Sequence, residues 1–472
     1  MVFSSVFFLF IFLPITLIVY YVLRGEAKNY WLLMMSMVFF SWSQPQYAVL
    51  IIISILINYV GGLFIGRSSS HLLSRTTLML VLLLNLGILF YYKYYNFAVH
   101  TISILLQRQS AVKTIILPIG ISFFTFQGMS YVIDVYRKRV LPQNNIAKVG
   151  LYIVLFPQLI AGPIIRYQDI AIEIDRRSVS LSDFCVGIER FILGLSKKAI
   201  IANSMAVTAD AIWSNAEFGN LTAVAWLGSV AYTLQIYYDF SGYSDMAIGL
   251  GRMFGFHFNE NFNLPYICQS ITEFWRRWHI SLSSWFKDYV YIPLGGNRRH
   301  VYRNLIIVFF LTGLWHGASW NFILWGMING VLIVLERVWR TIRNKMQTDE
   351  KTIAVRAWGH IYTLFVVNIG WVLFRAPTLQ TARQYLNCMF GSFVPLTPGF
   401  DLWWYLDRWT VTIMMLGIIF VSDIPGRVIR LIFQRDGTWK LCLKYFTLLF
   451  LFVLSIFRIV AGTYNPFIYF QF

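Results

Sequence analysis

Apolar runs long enough to enter or cross a bilayer recur along this chain, and they limit its fold more than any other feature. They fall near residues 4–23, 30–42, 46–66, 76–92, 115–136, 185–206, 223–240, 304–335, 358–374, 409–425 and 441–461. Shorter or broken runs lie near 95–106 and 150–165. A helix needs about 18–20 apolar residues to span the hydrocarbon core. Only helices and closed barrels satisfy every backbone group there, and the strand-length alternation of a barrel is missing. The runs therefore predict an all-α polytopic membrane protein, with about eleven helices that cross or enter the membrane. Composition agrees: 58% of the 472 residues are hydrophobic and only 13% are charged, about half the charge of a soluble domain. A disordered chain would need the opposite balance.

The positions of Lys and Arg predict the orientation. Arg24 and Lys28 follow the first run, Arg67 and Arg75 bracket the turn after the third, and Arg137, Lys138 and Arg139 follow the fifth. Arg427, Arg430, Arg435 and Lys440 precede the last. Alternating spans put these clusters on the cytoplasmic side and both termini outside. The net charge of +18 is then loop decoration facing membrane lipid, and no nucleic-acid-binding motif accompanies it. The apolar stretch from Val2 to Leu23 lacks a small-residue cleavage site and reads as a first span. Cys185, Cys268, Cys388 and Cys442 are far apart, so their spacing signals neither a disulfide framework nor a metal site. Residues 1–472 read as one integral-membrane domain.

The run at 304–335 is too long for one straight span and short for two. Basic residues at both of its ends, Arg298, Arg299 and Arg303 before it and Arg337, Arg340 and Arg343 after it, suit a broken or re-entrant helix pair. Gly313, Gly317 and Ser319 would allow the break. Residues 156–163 read the same way, and irregular backbone at membrane depth implies a polar cavity. Residues 259–297 mix aromatics with charges, as in Phe274-Trp275-Arg276-Arg277-Trp278-His279, which suits an interfacial helix.

Within this frame His316 stands out. It sits inside an apolar run in Trp315-His316-Gly317-Ala318-Ser319-Trp320-Asn321, where an ionisable side chain is costly unless it faces a cavity or a partner. Imidazole is also the usual general base near neutral pH. The competing reading is a histidine that only packs in the bundle. His279 is the second candidate, against an interfacial histidine satisfied by solvent. Asp239-Phe240-Ser241-Gly242-Tyr243-Ser244-Asp245 is the third. There a cavity-lining role competes with a polar helix end, Asp239 or Ser241 capping the next helix. The chain has no P-loop, GxGxxG, GxSxG or HExxH pattern, so ATP-driven transport, redox chemistry and serine-hydrolase chemistry lack support.

At these residues the chain resembles the membrane-bound O-acyltransferase (MBOAT) family, in particular its bacterial branch that acetylates alginate, peptidoglycan and related polymers. The matching segments are Met1-Val2-Phe3-Ser4-Ser5, Pro118 to Gln127, Pro157-Gln158-Leu159-Ile160-Ala161-Gly162-Pro163, Asp239 to Asp245, Phe274 to Leu282, Tyr291-Ile292-Pro293-Leu294-Gly295-Gly296, Trp315-His316-Gly317 and Trp371-Val372-Leu373-Phe374-Arg375-Ala376.

The resemblance implies a helix bundle around a central tunnel, with His316 as the catalytic histidine and His279 as a second functional one. It implies acetyl-CoA as a cytoplasmic acyl donor, with no bound cofactor or metal, and an extracytoplasmic polysaccharide as final acceptor. A periplasmic or surface SGNH-type acetyltransferase would be the partner, and the bacterial inner membrane the location. Residues 465–472 end in Phe467-Ile468-Tyr469-Phe470-Gln471-Phe472. This tail is similar to a Phe-x-Tyr-x-x-Phe motif of the teichoic-acid D-alanylation system, where the tyrosine is thought to carry the acyl group. That makes Tyr469 a candidate acyl acceptor, against a tyrosine in an interfacial aromatic belt. Trp315, Asn321, Asp239, Ser241, Arg276 and Arg277 are expected to bind substrate, with Arg298 and Arg299 as further partners for the CoA phosphates. D-alanyl transfer to teichoic acid, or transport of a polymer or lipid without chemistry, are the alternatives.

Overall fold

The computed structural model describes residues 1–107, 114–160, 162–214, 222–345, 352–391, 402–433 and 438–462. Among the described residues all regular structure is helical. Five helices among the described residues are long and apolar enough to cross a membrane: Pro45–Arg67, His71–Leu105, Trp320–Arg343, Ile353–Arg375 and Thr438–Ala461. Phe8–Val22, Val301–His316 and Arg408–Val421 are apolar but shorter.

The helices follow the apolar runs, with differences that have local causes. Runs 76–92 and 95–106 join into one helix through a π-helical turn at Phe90–Tyr94. Run 115–136 starts its helix only at Ile121, because Gly120 before it has φ +76°. That left-handed conformation suits glycine, and a Cβ at Gly120 would press on the Leu159 carbonyl oxygen, 2.8 Å away. Run 304–335 divides into Val301–His316 and Trp320–Lys345, with the break at residues 317–319. Run 223–240 extends into one helix of 32 residues, Thr222–Met253. The motif Asp239–Asp245 thus lies in mid-helix, and the cap expected of Asp239 or Ser241 is replaced by unbroken helical backbone. The aromatic-basic segment forms two short helices, Ile271–Arg277 and Ile280–Phe286, in place of one interfacial helix.

The chain falls into two compact units. The first comprises Met1–Phe191 and Tyr243–Asn259. Its long helices are joined by polar and small residues, which substitute in hydrocarbon for the missing hydrophobic drive between helices. Asn58 and Asn85 exchange amide hydrogen bonds, 3.1 Å each way. Lys93, in the π turn, donates to Ser122 Oγ at 3.1 Å. Tyr20 Oη donates to the Phe254 carbonyl at 2.7 Å, and Arg177 reaches that carbonyl and Tyr20 Oη, at 3.0 Å each.

The second unit comprises Ile192–Gly242 and Glu260–Phe472. In it Val301–His316 packs closely against Trp320–Lys345. Gly313 and Gly326 face each other there. A Cβ on Gly326 would lie 3.0 Å from Gly313 Cα and collide with the Phe309 carbonyl oxygen, and one on Gly313 would collide with the Phe322 carbonyl oxygen. Backbone atoms cannot swing aside, so a methyl group must push the helices apart. Gly326→Val is expected to lower stability by about 1–3 kcal/mol, read as an earlier thermal transition of the detergent-solubilised protein. Gly87→Ala, where a Cβ meets nothing within 4 Å, should leave that transition unchanged or raise it.

Candidate active site

The end of one helix and a strained turn bring two histidines together in the second unit. His316 is the last residue of Val301–His316, and Gly317 follows at φ −171°. That extended backbone suits any residue. Glycine is required there because a Cβ would collide with the Phe322 ring. The chain turns at once into Trp320–Lys345, and His316 stays 5% exposed. Its ring is enclosed by Trp315, Trp325 and Phe374, with centroids at 5.0, 5.2 and 5.1 Å. Trp325 also lines an apolar cavity of about 190 Å³, with Trp275, Ile328, Leu332 and Trp371.

His279 approaches from the junction of Ile271–Arg277 and Ile280–Phe286. It has φ +44°, a left-handed conformation that costs a residue with a Cβ about 1–2 kcal/mol. Two backbone hydrogen bonds hold the turn, Ile280 N to Asn261 O at 2.9 Å and Asn263 N to Arg277 O at 2.9 Å. The His279 ring is fully buried. Its centroid is 6.5 Å from that of His316, 5.7 Å from Trp315 and 4.6 Å from Phe240. Nδ1 lies 3.1 Å from Asn261 Oδ1. His279 is outside the long apolar helices. Burial, and then the neighbouring His316, push its pKa well below the ordinary 6.5, so the ring is a neutral imidazole at physiological pH.

A carboxylate sets the first of the two short helices. Glu336, on Trp320–Lys345, accepts from Ile271 N at 2.6 Å, Thr272 N at 2.8 Å and Thr272 Oγ1 at 2.6 Å. It thereby satisfies two otherwise unpaired amides of a helix start, where negative charge is favoured. The helix that follows His316 therefore also anchors the segment that carries His279.

The structure sorts the residues singled out in the sequence. Trp315 sits against both histidines. Asp239 is buried in an ion pair with Lys198, Nζ to Oδ1 2.6 Å, one residue before Phe240, which packs on His279. Ser241 is buried on the same helix. Asn321 donates its amide to the Ala376 carbonyl, tying the start of one helix to the end of another. Arg276 is exposed, and Arg277 pairs with Glu273 at 3.0 Å. Arg298 and Arg299 are exposed. Tyr469 lies outside the described residues. Among the described residues no group of three or more His, Cys, Asp or Glu could hold a metal ion.

Sequence reasoning missed Asn261, Trp325, Lys198 and Glu336. Lys198 carried a signal, a charge within the apolar run 185–206. Asn261, in Asn259-Glu260-Asn261-Phe262-Asn263, carried none that separated it from an ordinary polar loop.

The Lys198–Asp239 pair has side chains only 4% and 2% exposed. Removing one partner strands a buried charge, at a cost of about 3–5 kcal/mol, whereas replacing both with apolar groups is often neutral. Lys198→Met alone should therefore lower the thermal transition sharply, and Lys198→Met with Asp239→Leu should recover most of it.

Residues 6–375 match the model of MBOAT, the membrane-bound O-acyltransferase family. A protein named "Probable alginate O-acetylase AlgI" from Pseudomonas putida is 38% identical over the whole length of both chains. The "Peptidoglycan O-acetyltransferase" of Helicobacter pylori is 34% identical, over 83% of this chain and 80% of its own. The "Teichoic acid D-alanyltransferase" of Bacillus subtilis is 30% identical, over 46% of this chain and 58% of its own. With its paired buried histidines and apolar helices, this chain is an integral membrane acyltransferase and belongs to the membrane-bound O-acyltransferase family.

Proposed function

We propose that the chain relays acetyl groups from cytoplasmic acetyl-CoA across the bacterial inner membrane, for O-acetylation of a polysaccharide outside. The observation that carries this reading is the approach of two buried imidazoles, His279 and His316, their centroids 6.5 Å apart. A reacting group held between them is within reach of both rings. His316 acts as general base, taking the proton from an acceptor hydroxyl as its oxygen attacks the thioester carbonyl. The carbon–oxygen bond forms and the carbon–sulfur bond breaks. The proton then passes from the His316 imidazolium to the departing CoA sulfur. His279 assists or orients these transfers. General-base help of this kind contributes about 10²–10⁴ in rate.

The acceptor hydroxyl in this reading is that of Tyr469, which carries acetyl until an SGNH-type transferase passes it to the polymer. Residues 465–472 form the extracytoplasmic tail of a single membrane domain. The cargo is acetyl in preference to D-alanine. In support, the likeness to an alginate O-acetylase runs the full length of both chains, whereas that to the D-alanyltransferase covers 46% of this one.

Full chain in liposomes with labelled acetyl-CoA tests the scheme. Label is expected on the tail peptide, mapped by mass spectrometry. His316→Ala should reduce CoA release by at least about 100-fold. Tyr469→Phe should leave the thermal transition in place while abolishing label on the tail. Undiminished polymer acetylation by either variant would overturn the corresponding assignment, and exclusive labelling from a D-alanyl carrier would overturn the cargo.

A further inference from the structure

We infer that Asn261 is a positioning residue: it holds the His279 imidazole with its proton on Nδ1 and its lone pair on Nε2. The inference deepens the proposed function and rests on its placing His279 in the acyl-transfer step.

The hydrogen-bonding role of the Ser281 backbone N–H is not adjustable. The backbone N of Ser281 lies 3.2 Å from the Asn261 side-chain atom Oδ1. A backbone N–H only donates, so the atom facing it must be the amide oxygen and not the amide nitrogen. Ser281 Oγ, 2.8 Å from the same atom, donates to it as well. With the amide orientation set, the His279 ring follows. Nδ1 is 3.1 Å from this oxygen, and an oxygen that only accepts requires a hydrogen on Nδ1. A neutral imidazole with Nδ1–H has its lone pair on Nε2.

The surroundings make the preference strong. Asn261 and His279 are fully buried and Ser281 nearly so. The opposite tautomer would set a nitrogen lone pair against the amide oxygen in a medium of low dielectric, where a lost hydrogen bond costs most. The backbone adds to the constraint, because Ile280 N donates to the Asn261 carbonyl. Asn261 thus grips the turn on one side of His279 with its main chain and the ring with its side chain. Among the described ring neighbours, Phe240 on Thr222–Met253, Trp315 and the Ser281 hydroxyl, 3.5 Å from Nδ1, do not titrate near neutral pH, and His316 on Val301–His316 is a titratable group that faces His279. His279 is therefore set to accept a proton or a hydrogen bond through Nε2, and not to donate one.

The test uses the full chain in lipid nanodiscs, labelled with ¹⁵N-histidine. His279→Gln assigns the His279 resonances. The wild-type protein should show a protonated Nδ1 and a bare Nε2 at His279. Asn261→Leu should lose that preference, and first-turnover CoA release from acetyl-CoA should slow about 10–100-fold, the usual cost of losing a partner that orients a working histidine. KM for acetyl-CoA should stay within about twofold, because uniform binding is untouched. Asn261→Asp keeps an oxygen that accepts from Nδ1 and from Ser281 N, so the proton on Nδ1 should persist in it even if Asn261→Leu does not fold. A wild-type spectrum with the proton on Nε2 would overturn the inference, as would loss of the Nδ1 proton in Asn261→Asp. So would wild-type CoA release from folded Asn261→Leu. If His279→Gln released CoA at the wild-type rate while the wild-type ring carried its proton on Nδ1, the role of His279 in transfer would fall and the positioning role with it, but the tautomer would stand. The two failures are thus distinguishable.

Discussion

The close crossing of Val301–His316 and Trp320–Lys345 is the contact on which the second unit's chemistry depends. A hydrocarbon surrounding offers no hydrophobic force to press two helices together, so they associate by packing and by approach of small residues. Gly313 and Gly326 allow backbone to meet backbone, and Gly317 leaves space for the Phe322 ring. His316, as the last residue before the turn, is delivered by this crossing into its cage of Trp315, Trp325 and Phe374. The partner helix does a second task from the same position, since its Glu336 secures the helix that leads to His279. One crossing therefore governs where both imidazoles stand.

Buried charge follows the same logic within the second unit. Lys198 and Asp239 meet deep in the protein, and Arg375 pairs with Asp210 while also donating to Gln235 at 3.3 Å. Asp239 and Gln235 lie four residues apart, on one face of Thr222–Met253. Two cations from different helices thus register on the same face of one long helix. Such pairs add little net stability compared with apolar packing. What they impose is register, because sliding or rotating Thr222–Met253 would part Asp239 from Lys198 and cost Arg375 its bond to Gln235. Phe240, which packs on His279, is the residue after Asp239 and is held by that register.

Much of this was legible in the sequence, and the parts that were not share a cause. Long apolar runs reveal helices because the bilayer demands them, and the break near Gly317 was visible as a run of the wrong length between two basic clusters. His316 was visible because an ionisable group in an apolar run has to be explained. The course of Thr222–Met253 through Asp239–Asp245 was hidden. Two carboxylates, serines and a glycine read locally as a helix end, and only tertiary partners such as Lys198 make them tolerable in mid-helix. The density of charge beside tryptophans around Arg276 and Arg277 reads as one interfacial helix, and the structure divides it into Ile271–Arg277 and Ile280–Phe286, with Arg276 exposed and Arg277 paired with Glu273 on its own helix. Asn261 was illegible for a simpler reason: its importance lies in a contact with His279, 18 residues away, and no periodicity encodes such a contact.

The supports of the two histidines bear on the chemistry proposed for them. His316 is placed by the end of a helix and by aromatic faces, which restrain its position by shape. His279 is placed by a left-handed backbone and by hydrogen bonds to a single asparagine, which restrain its orientation and its proton. A general base uses one ring nitrogen to accept and release a proton and tolerates a fixed hydrogen bond at the other. A ring that orients a hydroxyl or accepts from it depends on its tautomer, because a wrong one would point a hydrogen where a lone pair is required. The strain at His279, about 1–2 kcal/mol, is small beside a barrier reduction of about 3–5 kcal/mol for acid–base assistance of 10²–10⁴. A turn that is costly to form is therefore consistent with a ring whose direction counts for more than its own stability.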